Sequence, residues 1–144
     1  MRPGVLLDTG PLVAYLYTRD AYHEWAIDTF RTLDPPAITC EPVLTEACFL
    51  AERNRQPASR VLHHVARNEV QIGLQLDQEM AAIEALMQRY ANVPMSLADA
   101  CLVRLAEMTG LPICTLDGDF AIYRANGRRA LDLIVPSPRH LHET

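Results

Sequence analysis

Residues Val5 to Ala14 read V-L-L-D-T-G-P-L-V-A, and this stretch carries the strongest signal for the fold. The apolar run Val5–Leu7 is typical of a short buried strand, and it ends at a carboxylate, Asp8. Gly10 and Pro11 then begin a helix, since proline is tolerated in the first helical turn. A strand that passes directly into a helix through an acidic residue predicts an α/β fold with Asp8 at the carboxyl edge of a sheet.

The same alternation continues along the rest of the chain. Further strands are predicted over Ala37–Thr39, Val70–Leu76, Ile113–Leu116 and Leu131–Val135. Helices are predicted from Gly10 to Tyr17 and over Ala21–Leu33, Pro42–Arg55, Pro57–Asn68, Asp77–Tyr90 and Ser96–Thr109, with Asp77 as an N-cap and Gly110 and Pro112 as a stop signal. The alternation predicts a mainly parallel sheet of about five strands covered by helices on both faces. A length of 144 residues fits one domain over residues 1–144.

The composition limits the chemistry that this chain can perform. Its net charge is −5, which disfavours a large non-specific nucleic-acid surface. All 13 basic residues are arginine, so a Schiff-base lysine and a P-loop lysine are both excluded. No apolar run is long enough to span a bilayer and no signal-peptide pattern opens the chain, which predicts a cytoplasmic protein without membrane contact.

The cysteines and the last histidines give no site of their own. The four cysteines form no C-x-x-C pair and have apolar neighbours, so we expect buried free thiols at Cys40, Cys48, Cys101 and Cys114. His140 and His142 are interpreted as part of a C-terminal tail.

Four carboxylates occupy positions that a parallel sheet brings to one edge. Asp8 and Asp117 follow predicted strands, and Glu46 lies in the first turns of the helix after the second strand. Asp99 lies in the first turn of a helix that leads back to the strand at Ile113, so it belongs to the same edge. Acids brought together in this way repel one another unless a divalent cation binds among them.

The donor atoms predicted at this edge are all oxygens. Hard cations such as Mg²⁺ and Mn²⁺ prefer oxygen ligands, and no histidine lies within a turn of the acids, which disfavours zinc. Such cations support hydrolysis at phosphorus. Thr9 and Thr115 stand beside two of the acids and are expected to orient a carboxylate or a water molecule.

Each acid also has a structural interpretation when it is taken alone. Asp99 is the third residue after Ser96, which is the spacing of a capping box. Asp8 could cap the following helix, and Glu46 could be a solvated helical residue. The sequence D-G-D from Asp117 is most often a turn. Their joint placement favours a site.

These residues give the chain a resemblance to the PIN domain family, close to the VapC-type toxin nucleases. The motifs that carry it are V-L-L-D-T-G-P-L-V-A at Val5–Ala14, L-T-E-A around Glu46, S-L-A-D-A at Ser96–Ala100 and T-L-D-G-D-F at Thr115–Phe120. The resemblance covers nearly the whole chain. It implies a three-layer α/β/α sandwich with a parallel five-stranded sheet.

The resemblance also implies an activity, a cofactor and partners. The activity is Mg²⁺- or Mn²⁺-dependent cleavage of RNA, and many relatives are homodimers whose toxin members are inhibited by an antitoxin protein. The catalytic and metal-binding acids carry over onto Asp8, Glu46, Asp99 and Asp117. The small hydroxyl residue of the family matches Thr115, and Asp119 in the same motif is expected to play a supporting part.

Other functions remain open from the sequence. A phospho-aspartyl phosphatase or receiver domain also places aspartates at strand ends, but each needs a lysine that this chain lacks. A non-catalytic RNA- or protein-binding module with the same fold would keep the acids without turnover. The arginines of the segment Arg124–Arg129 form the best local patch for RNA phosphates, although any single arginine is more often a solvated surface charge.

Overall fold

The computed structural model describes residues 4–137 and contains one five-stranded sheet. The strands of this sheet are β1 (Leu6–Leu7), β2 (Ala37–Thr39), β3 (Val70–Ile72), β4 (Ile113–Cys114) and β7 (Leu133–Ile134), in the order β3-β2-β1-β4-β7. Every neighbouring pair is parallel. The predicted parallel five-stranded sheet is therefore confirmed, with β1 at its centre.

Six helices connect and cover the strands. They are α1 (Thr9–Leu16), α2 (His23–Arg31), α3 (Glu41–Arg53), α4 (Ser59–Ala66), α5 (Met80–Arg89) and α6 (Leu97–Thr109). Consecutive residues of β1 point to opposite faces: Leu6 packs in a core cluster with residues of α5 and α6, and Leu7 packs in another with residues of α1, α2 and α4. These two cores confirm the three-layer α/β/α arrangement.

The order of the strands determines where a crevice opens. The chain moves from β1 outward through β2 to β3, and it then crosses back to place β4 on the other side of β1. Ligands of open α/β sheets bind at the carboxyl edge beside such a reversal. In this protein that point lies between the residues after Leu7 and those after Cys114.

The structure corrects the predicted start of α5. The strand expected to run to Leu76 ends at Ile72, because the amide of Gly73 makes the last sheet hydrogen bond to Thr39 and the chain then leaves the sheet. A 3₁₀ turn over Leu76–Glu79 precedes α5, and no side chain caps either element. The prediction of Asp77 as an N-cap was therefore wrong.

A small antiparallel hairpin between β4 and β7 was not predicted. It pairs β5 (Arg124–Ala125) with β6 (Arg129–Ala130). Its turn contains Asn126 and Gly127, both at positive φ (53° and 75°). An Asn-Gly pair is a standard signal for a hairpin turn, so the sequence did contain the information.

The predicted end of α6 at Gly110 is confirmed, and so are the free thiols, although Cys48 was wrongly expected to be buried. Helix α6 ends at Gly110, whose φ of +71° lies in the left-handed region and whose amide donates to the carbonyl of Ala106. All four cysteines are free thiols; three are buried and Cys48 is half-buried. In the described part of the chain no helix has the length and apolar character needed to cross a bilayer. His140 and His142 lie outside the described residues.

Candidate active site

An open groove of about 690 Å³ lies at the carboxyl edge of the sheet. Helices α1, α3 and α6 all begin beside it, and the segment after β4 closes it. The four predicted acids all line it, together with two of the predicted supporting residues: Asp8, Glu46, Asp99, Asp117, Thr9 and Asp119. A smaller cavity of about 300 Å³ between α1, α2 and α4 has a mostly apolar wall and holds none of these acids.

Asp8 is the most deeply placed of the acids and is only 7% exposed. Its side chain caps α1, since Oδ1 accepts a hydrogen bond from the amide of Thr9 at 2.8 Å, and Oδ2 accepts one from the hydroxyl of Thr115 at 2.6 Å. Burial raises the pKa of Asp8 from 3.8 to about 6; these hydrogen bonds oppose the rise, and the charges of Asp99 and Asp117 add to it. Asp8 therefore lies within electrostatic range of two other acids.

Thr115 connects the ends of the two central strands. This residue follows β4 and is fully buried. Its hydroxyl accepts a hydrogen bond from the amide of Asp117 at 2.9 Å and donates to Asp8. Oδ1 of Asp117 in turn accepts from the amide of Asp119 at 2.9 Å, at the start of a 3₁₀ turn over Gly118–Ala121. The Thr115 hydroxyl thus binds both the backbone amide of Asp117 and the side chain of Asp8.

Asp99 fits both interpretations that the sequence left open, because it caps α6 and also lines the groove. It forms the predicted capping box with Ser96, whose hydroxyl accepts from the amide of Asp99 and whose amide donates to Oδ2 of Asp99 at 3.3 Å. It also lines the groove. Burial is the main cause of a raised pKa of Asp99, and the charge of Asp117 contributes. The capping contact to the side chain uses only one carboxylate oxygen, so Oδ1 stays available.

Tyr123 donates a hydrogen bond to the side chain of Asp99, and this role was not predicted from the sequence. Its hydroxyl donates to Oδ2 of Asp99 at 3.0 Å. The ring is fully buried between the rings of Tyr90 and Phe120, at centroid distances of 5.0 and 5.3 Å. Burial and the adjacent charge of Asp99 raise the pKa of Tyr123, so the phenol stays protonated and remains a donor. The spacing of Phe120 and Tyr123 indicates packing, but nothing local in the sequence shows where the hydroxyl points.

Glu46 completes the groove from its α3 side. It is exposed, and its Oε2 accepts a hydrogen bond from the hydroxyl of Thr9 at 3.2 Å. Thr9 is the first residue of α1, and its amide donates to Asp8. The expectation that Thr9 and Thr115 orient carboxylates is therefore met by both hydroxyls.

The donor chemistry of the groove suits a hard divalent cation. Within residues 4–137, Glu46, Asp99 and Asp117 each keep one carboxylate oxygen that accepts no hydrogen bond. Each oxygen of Asp8 accepts only one hydrogen bond. Neither histidine nor cysteine is among the residues that line the groove. However, no three His, Cys, Asp or Glu side chains of the described range are spaced to hold a metal ion as they stand.

The predicted arginine patch is partly engaged in the fold. The guanidinium of Arg124 donates to the carbonyls of Ala121, Ile122 and Tyr123, where it caps the 3₁₀ turn. No arginine is among the residues that line the groove. Arg124 therefore stabilises the loop that carries Tyr123, and no arginine of the described range lines the groove beside the acids.

Fold and groove together define the class: a three-layer α/β/α protein with a cluster of acids at the switch point of its sheet. The sequence model of the PIN domain matches residues 5–126, and the chain belongs to the PIN domain family. Among solved structures it is similar to VapC20 of Mycobacterium tuberculosis, described as a toxin that cleaves the sarcin-ricin loop, with 25% identity and a TM-score of 0.71 over 82% of this chain and 93% of that chain. A search of curated proteins gave no match. The predicted family is confirmed.

Proposed function

We propose that this protein is a Mg²⁺- or Mn²⁺-dependent endoribonuclease, active as a single nuclease domain over residues 1–144. The observation that carries the proposal is the convergence of Asp8, Glu46, Asp99 and Asp117 on one groove, from parts of the chain up to 109 positions apart. Membership of the PIN domain family and the similarity to an RNA-cleaving toxin support the substrate class.

The surroundings of each acid indicate its role in binding the cation or accepting a proton. Asp8, Asp99 and Asp117 would hold the cation, and Glu46 would complete the ligand set from the rim of the groove. When bound, the cation supplies a Lewis acid that offsets negative charge at phosphorus and makes a water molecule more acidic. A carboxylate oxygen of the groove that does not bind the cation would take up the proton lost by the water that attacks phosphorus, while the P–O bond to the leaving ribose oxygen breaks.

The supporting residues fix the directions of these carboxylates. Thr115 orients Asp8, Thr9 orients Glu46, and Tyr123 orients Asp99. The amide of Asp119 fixes Asp117, and the Asp119 side chain contributes further negative charge at the groove. Hydrogen-bond donors hold one oxygen of Glu46, Asp99 and Asp117, and the other oxygen of each is available to the cation and to water. Both oxygens of Asp8 accept one hydrogen bond, and each keeps a further lone pair for the cation.

We extend the proposal to the biological setting. The relative VapC20 is a toxin, which supports assigning this chain as the toxin of a type II toxin–antitoxin pair, inhibited by a cognate antitoxin protein and acting in the cytoplasm. We also propose a homodimer. Co-purification of a co-expressed adjacent gene product and light scattering of the purified protein test these two points.

The central experiment measures RNA cleavage. Purified protein is incubated with RNA and Mn²⁺, Mg²⁺ or EDTA, and Asp8→Asn and Asp99→Asn variants that keep the wild-type circular dichroism spectrum are compared. We expect cation-dependent cleavage that both substitutions abolish. Cleavage that persists unchanged in both variants would refute the assignment.

A non-catalytic binding module is the second candidate. One observation favours it: among the described residues, no three His, Cys, Asp or Glu side chains are spaced to hold a metal ion. Titration with Mn²⁺ separates the two candidates, because a cation that binds the folded protein raises its melting temperature by mass action. A melting temperature that does not respond to Mn²⁺, together with RNA binding without cleavage, would favour the module.

A further inference from the structure

One face of α3 continues from the groove out to the surface. Residues at spacings of three, four and seven lie on the same face of a helix, so Glu46, Phe49, Leu50 and Arg53 form one stripe. Glu46 and Leu50 line the groove. Phe49 and Arg53 extend this stripe to about 10 Å from Glu46 along the helix axis, given a rise of 1.5 Å per residue.

The outer part of the stripe has an unusual side-chain pair. Phe49 is 61% exposed, the largest exposure among the large hydrophobic residues of the described chain. The guanidinium of Arg53 lies over its ring at 5.9 Å from the centroid. Arg53 is exposed and takes part in none of the ion pairs found between residues 4 and 137. A largely exposed ring therefore lies next to a cation that has no ion-pair partner within residues 4–137.

This pair has the chemistry of a single-stranded nucleic-acid subsite. Unpaired bases stack on exposed aromatic rings, and arginine binds the phosphates between them. Among residues 4–137, several acids and no arginine line the groove, so none of these residues offers a polyanion a guanidinium there. Arg53 supplies positive charge next to the groove, where a bound RNA strand would leave it.

We propose that Phe49 and Arg53 form a subsite that holds an unpaired nucleotide of the RNA next to the cleaved bond. This inference rests on the proposed function, and it requires the nucleotide next to the cleaved bond to be unpaired, because a base within a helix cannot stack on Phe49. The base packs on the free face of the ring, and the Arg53 guanidinium contacts the adjoining phosphate.

The test measures binding without turnover. Fluorescence anisotropy in EDTA follows a labelled single-stranded RNA of about ten nucleotides bound to the full chain. We expect Phe49→Ala to weaken binding about 5- to 140-fold, as loss of one stacked base does, and Phe49→Trp to retain it. Arg53→Gln should lower the slope of log K against log salt by about 0.7, the value for one phosphate of a single strand.

Matched controls separate the subsite from general effects of the substitutions. Met108→Ala removes another exposed apolar side chain, at the far end of α6, and Arg31→Gln removes an exposed arginine on α2. Both variants should bind as the wild type does. A ligand of equal length with abasic sugars should bind wild type and Phe49→Ala equally, because it offers no base to stack.

The outcomes distinguish this subsite from the nuclease assignment. Unchanged affinity in Phe49→Ala, or no binding by the wild type, overturns the subsite even if Mn²⁺-dependent cleavage is found. Binding that depends on Phe49 in a protein that never cleaves RNA supports the subsite and counts against the nuclease. If light scattering shows that Phe49→Ala turns a dimer into monomers while RNA affinity is unchanged, the stripe is a subunit contact and the subsite is overturned.

Discussion

The hydroxyl of Thr115 donates to Oδ2 of Asp8 at 2.6 Å, although the two residues are 107 positions apart in the chain. Both side chains are buried, and the bond joins the ends of the adjacent strands β1 and β4. Since a buried carboxylate is costly without donors, this bond favours the ionised form of Asp8.

Thr115→Val should therefore destabilise the protein and raise the pKa of Asp8 further above 6. The expected loss is about 1.5–3 kcal/mol in the free energy of unfolding, the range for a hydrogen bond to a charged group. Urea denaturation measures the stability, and carboxyl NMR follows the titration of Asp8. Thr39→Val is the control: Thr39 is equally buried, but its hydroxyl donates to the carbonyl of Leu7, so it should lower stability without moving the pKa of Asp8.

The stability of the metal-free protein should fall as pH rises from about 4 to about 7. The pKa of Asp8 is higher in the folded protein, about 6, than the ordinary 3.8, so its stabilising contribution is complete below about pH 4 and is lost as pH passes 6. The loss amounts to about 3 kcal/mol, and the raised pKa of Asp99 acts in the same direction. Urea denaturation in EDTA across this range measures it. Asp8→Asn should flatten the profile, and a profile equally steep in this variant would exclude Asp8 as its source.

Added Mn²⁺ should reverse this destabilisation near neutral pH. A cation at about 100 times its Kd stabilises the folded state by about 2.7 kcal/mol, and its binding should weaken below pH 6 as Asp8 takes up a proton. Thermal denaturation with and without Mn²⁺ measures the effect. Asp8→Asn and Asp99→Asn should reduce it, whereas Asp34→Asn, an exposed acid away from the groove, should not. An equal response in all four proteins would place the cation elsewhere.

Tyr123→Phe should weaken Mn²⁺ binding by more than it weakens the fold. The substitution keeps the ring between Tyr90 and Phe120 but removes the hydrogen bond that orients Asp99. We expect an increase of about 10-fold or more in the Kd for Mn²⁺, as is typical when a residue that orients a metal ligand is lost. Calorimetric titration with Mn²⁺ measures the Kd.

Tyr90→Phe provides the comparison for that experiment. The Tyr90 hydroxyl accepts a hydrogen bond from the amide of Arg124 at 2.9 Å, and it does not contact an acid of the groove. This variant should lose stability, since a backbone donor is left without its partner, and keep its Kd for Mn²⁺. Equal Kd values for both variants would show that the phenol of Tyr123 has only a packing role.

Gly110→Ala should cost about 1 kcal/mol of stability. Gly110 caps α6 at a φ of +71°, and a Cβ there would contact nothing within 4 Å, so the cost is one of backbone conformation alone. Gly118→Ala is the matched control, because its Cβ also meets open space while its φ is not in the left-handed region. Urea denaturation should show a loss for the first variant and little change for the second.

The sequence predicted the parts of the site that follow from strand and helix ends. Asp8 and Asp117 were placed correctly because each follows an apolar run, and the topology of a parallel sheet then brings both to one edge. Asp99 was recognised through the S-L-A-D pattern, which encodes its cap as well as its place at the start of α6. These features depend on neighbours within a few residues and on one rule of sheet geometry.

What the sequence did not predict depends on contacts between distant segments. The Tyr123 hydroxyl reaches Asp99 only because the loop after β4 folds beneath α6. Likewise, Asp77 has the chemistry of a helix cap, but the chain leaves the sheet early and forms a 3₁₀ turn there instead. Local propensity indicates which roles a residue can take, and contacts between distant segments determine which role it has in the fold.

The position of β1 at the centre of the sheet has a consequence for protein synthesis. The ribosome makes the residues after β1 first, yet their partners Asp99, Thr115 and Asp117 come from the last third of the chain. A nascent polypeptide that has not yet emerged beyond residue 98 carries Asp8 with neither its Thr115 donor nor its acidic neighbours Asp99 and Asp117. A chain that stops before residue 119 lacks part of the groove lining, so translation delays assembly of the groove until Asp117 and Asp119 have been made.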